Sequence, residues 1–142
     1  MTNVLTVKKM YKLWSLAFFL FGLLAASDQL SKVWAGNIFR NYDFAFGLRV
    51  NPFVMYGVYG LVLCAIGYYL FREHRRLTLV EAISWLAVLA GGLSNLAERI
   101  ALGYVRDFIY LMNGVFNLAD FYIIAGIVFL LARELRANLK SH

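Results

Sequence analysis

Four long apolar runs, each closed by charged residues, set the pattern of this sequence. The first, LWSLAFFLFGLLAAS, lies uncharged between Lys12 and Asp28. With the Lys12 stem reaching toward an interface, it approaches the ~20 residues a helix needs to cross a bilayer. A second, VNPFVMYGVYGLVLCAIGYYLF, lies between Arg49 and Arg72 and is long enough unaided. A third runs from Leu77 to Ala97 with Glu81 one turn inside its basic end. The fourth begins beside Asp120 and finishes in the basic stretch RELRANLK. The pattern predicts an all-α membrane protein with spans at about 13–27, 51–71, 77–97 and 118–139, plus a small β-rich or loop region outside the membrane.

Composition sharpens this picture. The 142 residues suit one domain, 1–142, and the 62% hydrophobic share exceeds the soluble norm of about 45–50%. A net charge of +6 raises the possibility of nucleic acid. Such binding needs the cations on one wet face, however, and here they stand at the ends of apolar runs. No nucleic-acid partner is expected. The lone Cys64, inside GLVLCAIGYY, excludes an intramolecular disulfide and reads as a packing residue.

Cation placement predicts orientation. Lys8, Lys9, Lys12, Arg72, Arg75, Arg76, Arg133, Arg136 and Lys140 flank one side of the four runs; Lys32, Arg40, Arg49, Arg99 and Arg106 flank the other. The larger group marks the cytoplasm. Both termini then lie inside, and loops at about 28–52 and 98–117 lie outside. A cleavable signal peptide ending near Ala25-Ala26-Ser27 is the rival reading of the N-terminus, but removing it would leave three spans and spoil the charge bias.

The acids segregate too. Glu73, Glu81 and Glu134 accompany the cytoplasmic cations, whereas Asp28, Asp43, Glu98, Asp107 and Asp120 share the outer side. Ionisable groups at a membrane segment are costly and are functional candidates by default, with salt bridging to Lys32, Arg99 and Arg106 as the plain alternative. Asp107 and Asp120 flank a stretch containing Asn113-Gly114, a turn signal that would bring them back toward each other. At the start of the fourth helix Asp120 is favoured as a carboxylate, while Asp107, beside Phe108 and Ile109, suits a held proton. Two such acids form a general base and a general acid. Paired aspartates also serve ion pathways and structural networks. Both histidines, His74 and His142, fall on the cytoplasmic side, which removes histidine triads and histidine-rich zinc sites from the outer one. A Ser/Lys pair from Ser27 or Ser31 with Lys32 lacks anything that would lower the lysine pKa.

The ordered motifs resemble signal peptidase II, the lipoprotein signal peptidase family, along the chain from Asp28 to Gly126. Asp28-Gln29-Leu30-Ser31-Lys32 is similar to its Asp-x-x-(Thr/Ser)-Lys segment, and NYDFAFG at 41–47 to its Asn-x-x-x-Ala-Phe loop. AGGLSNLAER at 90–99 resembles the Gly-rich stretch ending in Asn-x-x-Asp-Arg. GYVRDF at 103–108 and FNLAD at 116–120 resemble the two motifs that carry the catalytic aspartates.

The resemblance implies an aspartic endopeptidase with Asp107 and Asp120 as the pair and with Asn41, Asn95, Arg99 and Asn117 around it, contacting substrate or steadying the site. Asp28 and Lys32 become supporting residues. It implies a diacylglyceryl-modified prolipoprotein substrate cut just before its lipidated cysteine, no metal or organic cofactor, and membrane lipids as surroundings. Binding of globomycin-class inhibitors and a multi-pass location in the bacterial inner membrane, active site near the outer face, are further expectations. Three departures stand out. Glu98 replaces the usual Asp, with a longer reach expected to shift Arg99; Asp43 fills a normally small, uncharged position; and the interval between the two aspartates is compact. A small ion or proton transporter and a catalytically silent lipopeptide-binding relative are the alternatives from other classes. Gly91 and Gly92 are read as close-packing positions.

Overall fold

The computed structural model describes residues 4–44, 47–112 and 114–140. Their order is α1 (Val4–Trp34), β1 (Phe39–Asn41), α2 (Pro52–Glu73), α3 (Leu79–Leu102), β2 (Val105–Asp107), β3 (Ile109–Leu111), β4 (Gly114–Phe116) and α4 (Leu118–Lys140). The Asn113 half of the expected turn, and Ala45 and Phe46 of the 41–47 loop, lie outside the described residues.

Helix boundaries follow local chemistry. Asn51 caps α2, its Oδ1 accepting from the Phe53 N–H at 2.9 Å, and Pro52 stands at the first position, where no amide hydrogen is needed. Thr78 and Glu81 form a reciprocal capping box at the start of α3. That helix ends at Gly103, whose φ of 80° gives the left-handed turn that lets its N–H reach the Arg99 carbonyl at 3.0 Å.

Three helical segments are long and apolar enough to cross a membrane: Met10–Trp34, Pro52–Glu73 and Leu79–Leu102. The 23-residue α4 has similar length but carries Asp120 at its start and Arg133, Glu134 and Arg136 near its end, and is not among the three. The helices run longer than the apolar runs that predicted them. Residues 28–34 and 98–102, expected in loops, are helical. The reason is that the polar side chains there satisfy one another inside the bundle, so the helix need not stop where charge begins.

The central helix is α3, which packs on each of the other three. Its closest approach is to α4: a Cβ on Gly91 would collide with the Ala119 carbonyl oxygen, and one on Gly126 would lie 2.6 Å from the Ser84 carbonyl oxygen. The expectation for Gly91 holds in that form, and Gly92 faces the Leu63 side chain of α2. An apolar cluster of Ala17, Ile66, Leu70, Leu77, Ala82, Leu86 and Val88 fills the bundle toward the end where α3 begins. Large apolar side chains such as Phe53, Leu61 and Phe71 of α2 face outward, as a lipid solvent permits.

Two small antiparallel pairs cap the other end. Strand β1 pairs with β2, Phe39 opposite Asp107, and β3 pairs with β4, Ile109 opposite Phe116. The second pair folds the chain back so that Asp107 and Asn117, at its two ends, become neighbours.

Candidate active site

Strand β2 and the first turn of α4 each deliver one aspartate. Asp107 is 1% exposed, and its carboxylate is held by two amides: Asn41 Nδ2 donates to Oδ2 at 2.8 Å and Asn117 Nδ2 to Oδ1 at 2.6 Å. Asp120 accepts from Asn95 Nδ2 at 3.0 Å on Oδ1 and from the Asn117 N–H at 3.0 Å on Oδ2. Asn117 Oδ1 accepts in return from the Asp120 N–H at 3.1 Å, so Asn117 and Asp120 form a capping box at the start of α4. One asparagine therefore caps the helix that carries the second aspartate and grips the first.

Burial pushes the Asp107 carboxyl above the ordinary carboxylate range. The Asp120 charge adds to that rise, while the Asn117 and Asn41 hydrogen bonds and the more distant Lys32 charge oppose it.

The remaining outer acids are engaged differently. Lys32, 1% exposed, places its ammonium 2.8 Å from Asp28 Oδ2, 2.9 Å from Glu98 Oε2 and 2.9 Å from Asn95 Oδ1, which occupies all three of its donors. Asp28 Oδ1 accepts from the Ala119 N–H at 2.9 Å, satisfying an otherwise unpaired amide of the α4 terminus beside Asp120. Ser94 Oγ donates to Asp28 Oδ2 at 2.6 Å. Asp43 lies 3.8 Å from the exposed Arg49. Among the described residues, neither Asp107 nor Asp120 has a cation at ion-pair distance. The plain salt-bridge reading thus describes Asp28 and Glu98, and fails for these two.

Arg99 is buried, donating from Nη2 to the Asp43 carbonyl at 2.8 Å and lying over the Tyr59 ring at 5.5 Å. Its Nε has no hydrogen-bond partner among the described residues. The expectation that Glu98 would shift Arg99 meets a different arrangement: the Glu98 carboxylate is taken up by Lys32 and by Arg106. Ser94, Arg106 and Tyr59 escaped notice as site residues. Ser94 and Asn95, with Glu98 one turn on, share a stretch of α3, and that spacing was the available signal; nothing local marked Tyr59.

All eight expected site residues therefore occur in one hydrogen-bonded neighbourhood at one end of the bundle. The links run from Asp107 to Asn41 and Asn117, from Asn117 to Asp120, from Asp120 to Asn95, from Asn95 to Lys32 and from Lys32 to Asp28, with Arg99 beside Asn95.

The chain is similar to known proteins in sequence and in fold. The model of the signal peptidase (SPase) II family matches residues 20–136. A lipoprotein signal peptidase of Clostridioides difficile is 30% identical over 140 residues, covering 84% of this chain and 94% of the relative. One from Streptococcus agalactiae is 31% identical over 130 residues, covering 77% and 84%. A solved bacterial membrane enzyme at 2.3 Å resolution has the same fold, with a TM-score of 0.76 at 19% identity over 90% of this chain and 92% of that one. A second, at 1.9 Å resolution, gives 0.68 over 85% and 93%. Together these define a membrane protease. The chain belongs to the signal peptidase II family.

Proposed function

We propose that Asp107 and Asp120 are the catalytic pair of an aspartic endopeptidase that removes the signal peptide from diacylglyceryl-modified prolipoproteins, cutting just before the lipidated cysteine. The observation that carries this reading is that the two carboxylates are joined through Asn117 and, among the described residues, held by amide donors alone. A structural acid is neutralised by a cation, as Asp28 and Glu98 are by Lys32; a reacting one keeps its proton equilibrium open.

In the mechanism, Asp120 is the base. Two N–H donors stabilise its charge at a helix start. Asp107, almost fully buried on strand β2 away from any helix start, is the acid. Asp120 takes a proton from a water whose oxygen bonds to the scissile carbonyl carbon. The C–N bond then breaks as Asp107 gives its proton to the departing cysteine amine, and a proton passing back from Asp120 restores the pair. Arg99, whose Nε–H has no partner among the described residues, and Asn41, Asn95 and Asn117 supply donors around that carbon. Family membership leaves the ion-transporter reading without support, and the intact pair speaks against a silent relative.

The location follows from charge. With α4 as a fourth span, the nine cations at the far ends of the helices are cytoplasmic, both termini are inside, and the pair stands near the outer face of the bacterial inner membrane. An apolar signal helix and two acyl chains partition into the bilayer and are delivered to that depth without extraction. The protein in lipid vesicles should cleave a diacylglyceryl-modified precursor and leave the same precursor without its lipid largely intact. Equal cleavage of both would overturn the substrate assignment, and cleavage of neither would overturn the activity.

A further inference from the structure

Glu98 of α3 is 3% exposed, and its carboxylate is shared between the buried lysine and a residue of the active-site strand. Oε2 lies 2.9 Å from Lys32 Nζ and accepts the Arg106 main-chain N–H at 3.1 Å, while Oε1 accepts from Arg106 Nε. Arg106 immediately precedes Asp107. A single side chain thus holds residue 106 by both its backbone and its guanidinium, which fixes the position and the rotation of the strand at that point. Strand β2 needs such an anchor, because three residues paired with a three-residue β1 form too short a ladder to be rigid alone. On its other side Lys32 is bonded to Asn95 and Asp28, which hold Asp120 and the adjacent Ala119 N–H. The two halves of the pair therefore hang on one buried cluster, and among the described residues Glu98 is the carboxylate that ties it to β2.

We infer that Glu98 is a positioning residue for Asp107, acting through Arg106 to set the spacing of the two aspartates. The inference rests on Asp107 being a reacting carboxylate. It requires reach as well as charge: an aspartate at 98 would still neutralise Lys32, but its carboxylate would be withdrawn by about 1.5 Å, one C–C bond, and would release Arg106.

The test compares Glu98→Asp, Arg106→Ala and the double variant in lipid vesicles with lipidated precursor, with Asp107→Asn as reference and thermal unfolding to score the folded fraction. Each single variant should lose about 10- to 100-fold in kcat, the scale of an ångström-sized misplacement, with KM within about twofold of the parent. The double variant should be no slower than the slower single, since both break one link. A parent-like kcat in Glu98→Asp or Arg106→Ala, multiplying losses in the double variant, or losses confined to KM or to the folded fraction would each overturn the inference. Should Glu98→Asp fail to fold, the half-buried Arg106→Ala carries the test by its kcat alone. Failure of the positioning role with Asp107→Asn inactive leaves the catalytic assignment standing, whereas an active Asp107→Asn removes both.

Discussion

The Asn117 side chain donates to Asp107 at 2.6 Å while its own main-chain N–H is bonded to Asp120, so the helix cap and the active-site clamp are one residue. Replacing Asn117 with Ala should cost about 1 kcal/mol of stability as a lost cap. Catalysis should suffer more, because the alignment of both carboxylates goes with it. An activity loss of about 100-fold or more is expected, read as initial cleavage rate per folded protein.

The pH profile should be bell-shaped, with macroscopic pKa values belonging to the pair. Asp107 acts as the acid and must be protonated. Its affinity for that proton is raised, chiefly by burial, so the proton is held to higher pH than an ordinary carboxyl allows. Activity should therefore fall on the alkaline side only above the ordinary carboxylate range of about 4. The Asn117 hydrogen bond favours the ionised form. Residual activity in Asn117→Ala should accordingly have its alkaline limb moved to higher pH; a downward move would contradict the assignment of acid and base.

Lys32→Met tests the supporting cluster. The substitution leaves Asp28 and Glu98 buried without their shared cation. Breaking a buried pair in this way costs about 3–5 kcal/mol, which should appear as a sharply lowered midpoint of thermal unfolding in detergent. Arg133, half exposed and paired with Glu81 at the opposite end of the bundle, is the contrast. Arg133→Ala should cost no more than about 1 kcal/mol and leave cleavage unchanged.

Helix spacing is tested at the glycines. In Gly91→Ala the new methyl meets the Ala119 main chain and, at 2.7 Å, Ile123. Since backbone cannot yield as a side chain does, the first turn of α4 should move off α3, stretching the Asn95–Asp120 and Asp28–Ala119 bonds. Overpacking of this kind costs about 1–3 kcal/mol, and cleavage should drop by about tenfold or more. In Gly92→Ala the neighbour is the Leu63 side chain at 2.9 Å, which can rotate away. Its activity should stay near the parent's.

Much of this was legible from residue order. The four apolar runs located the helices, and the turn signal between residues 107 and 120 marked the return of the chain through β3 and β4 that lets Asn117 bond to both acids. The far end of α1 was not legible. Asp28 and Lys32 look like a loop after an apolar run, yet they lie one turn apart and neutralise each other, with Glu98, inside the bundle. Pairing of β1 with β2 was hidden too, since three-residue strands lack a readable alternation and the partners are more than 60 residues apart. Glu98 was visible as an acid on the right side, but its choice of Arg106 over Arg99 depends on where β2 crosses α3, which spacing does not encode.

The most direct measurement is single-turnover cleavage of a lipidated precursor in vesicles by Asp107→Asn and Asp120→Asn. Both substitutions preserve shape and remove only the ionisable group. Each variant should fold, bind precursor and cleave it at least about 100-fold more slowly than the parent, the contribution expected of a lost acid or base. A parent-like rate from either one would show that the two carboxylates joined by Asn117 are not the hydrolytic pair.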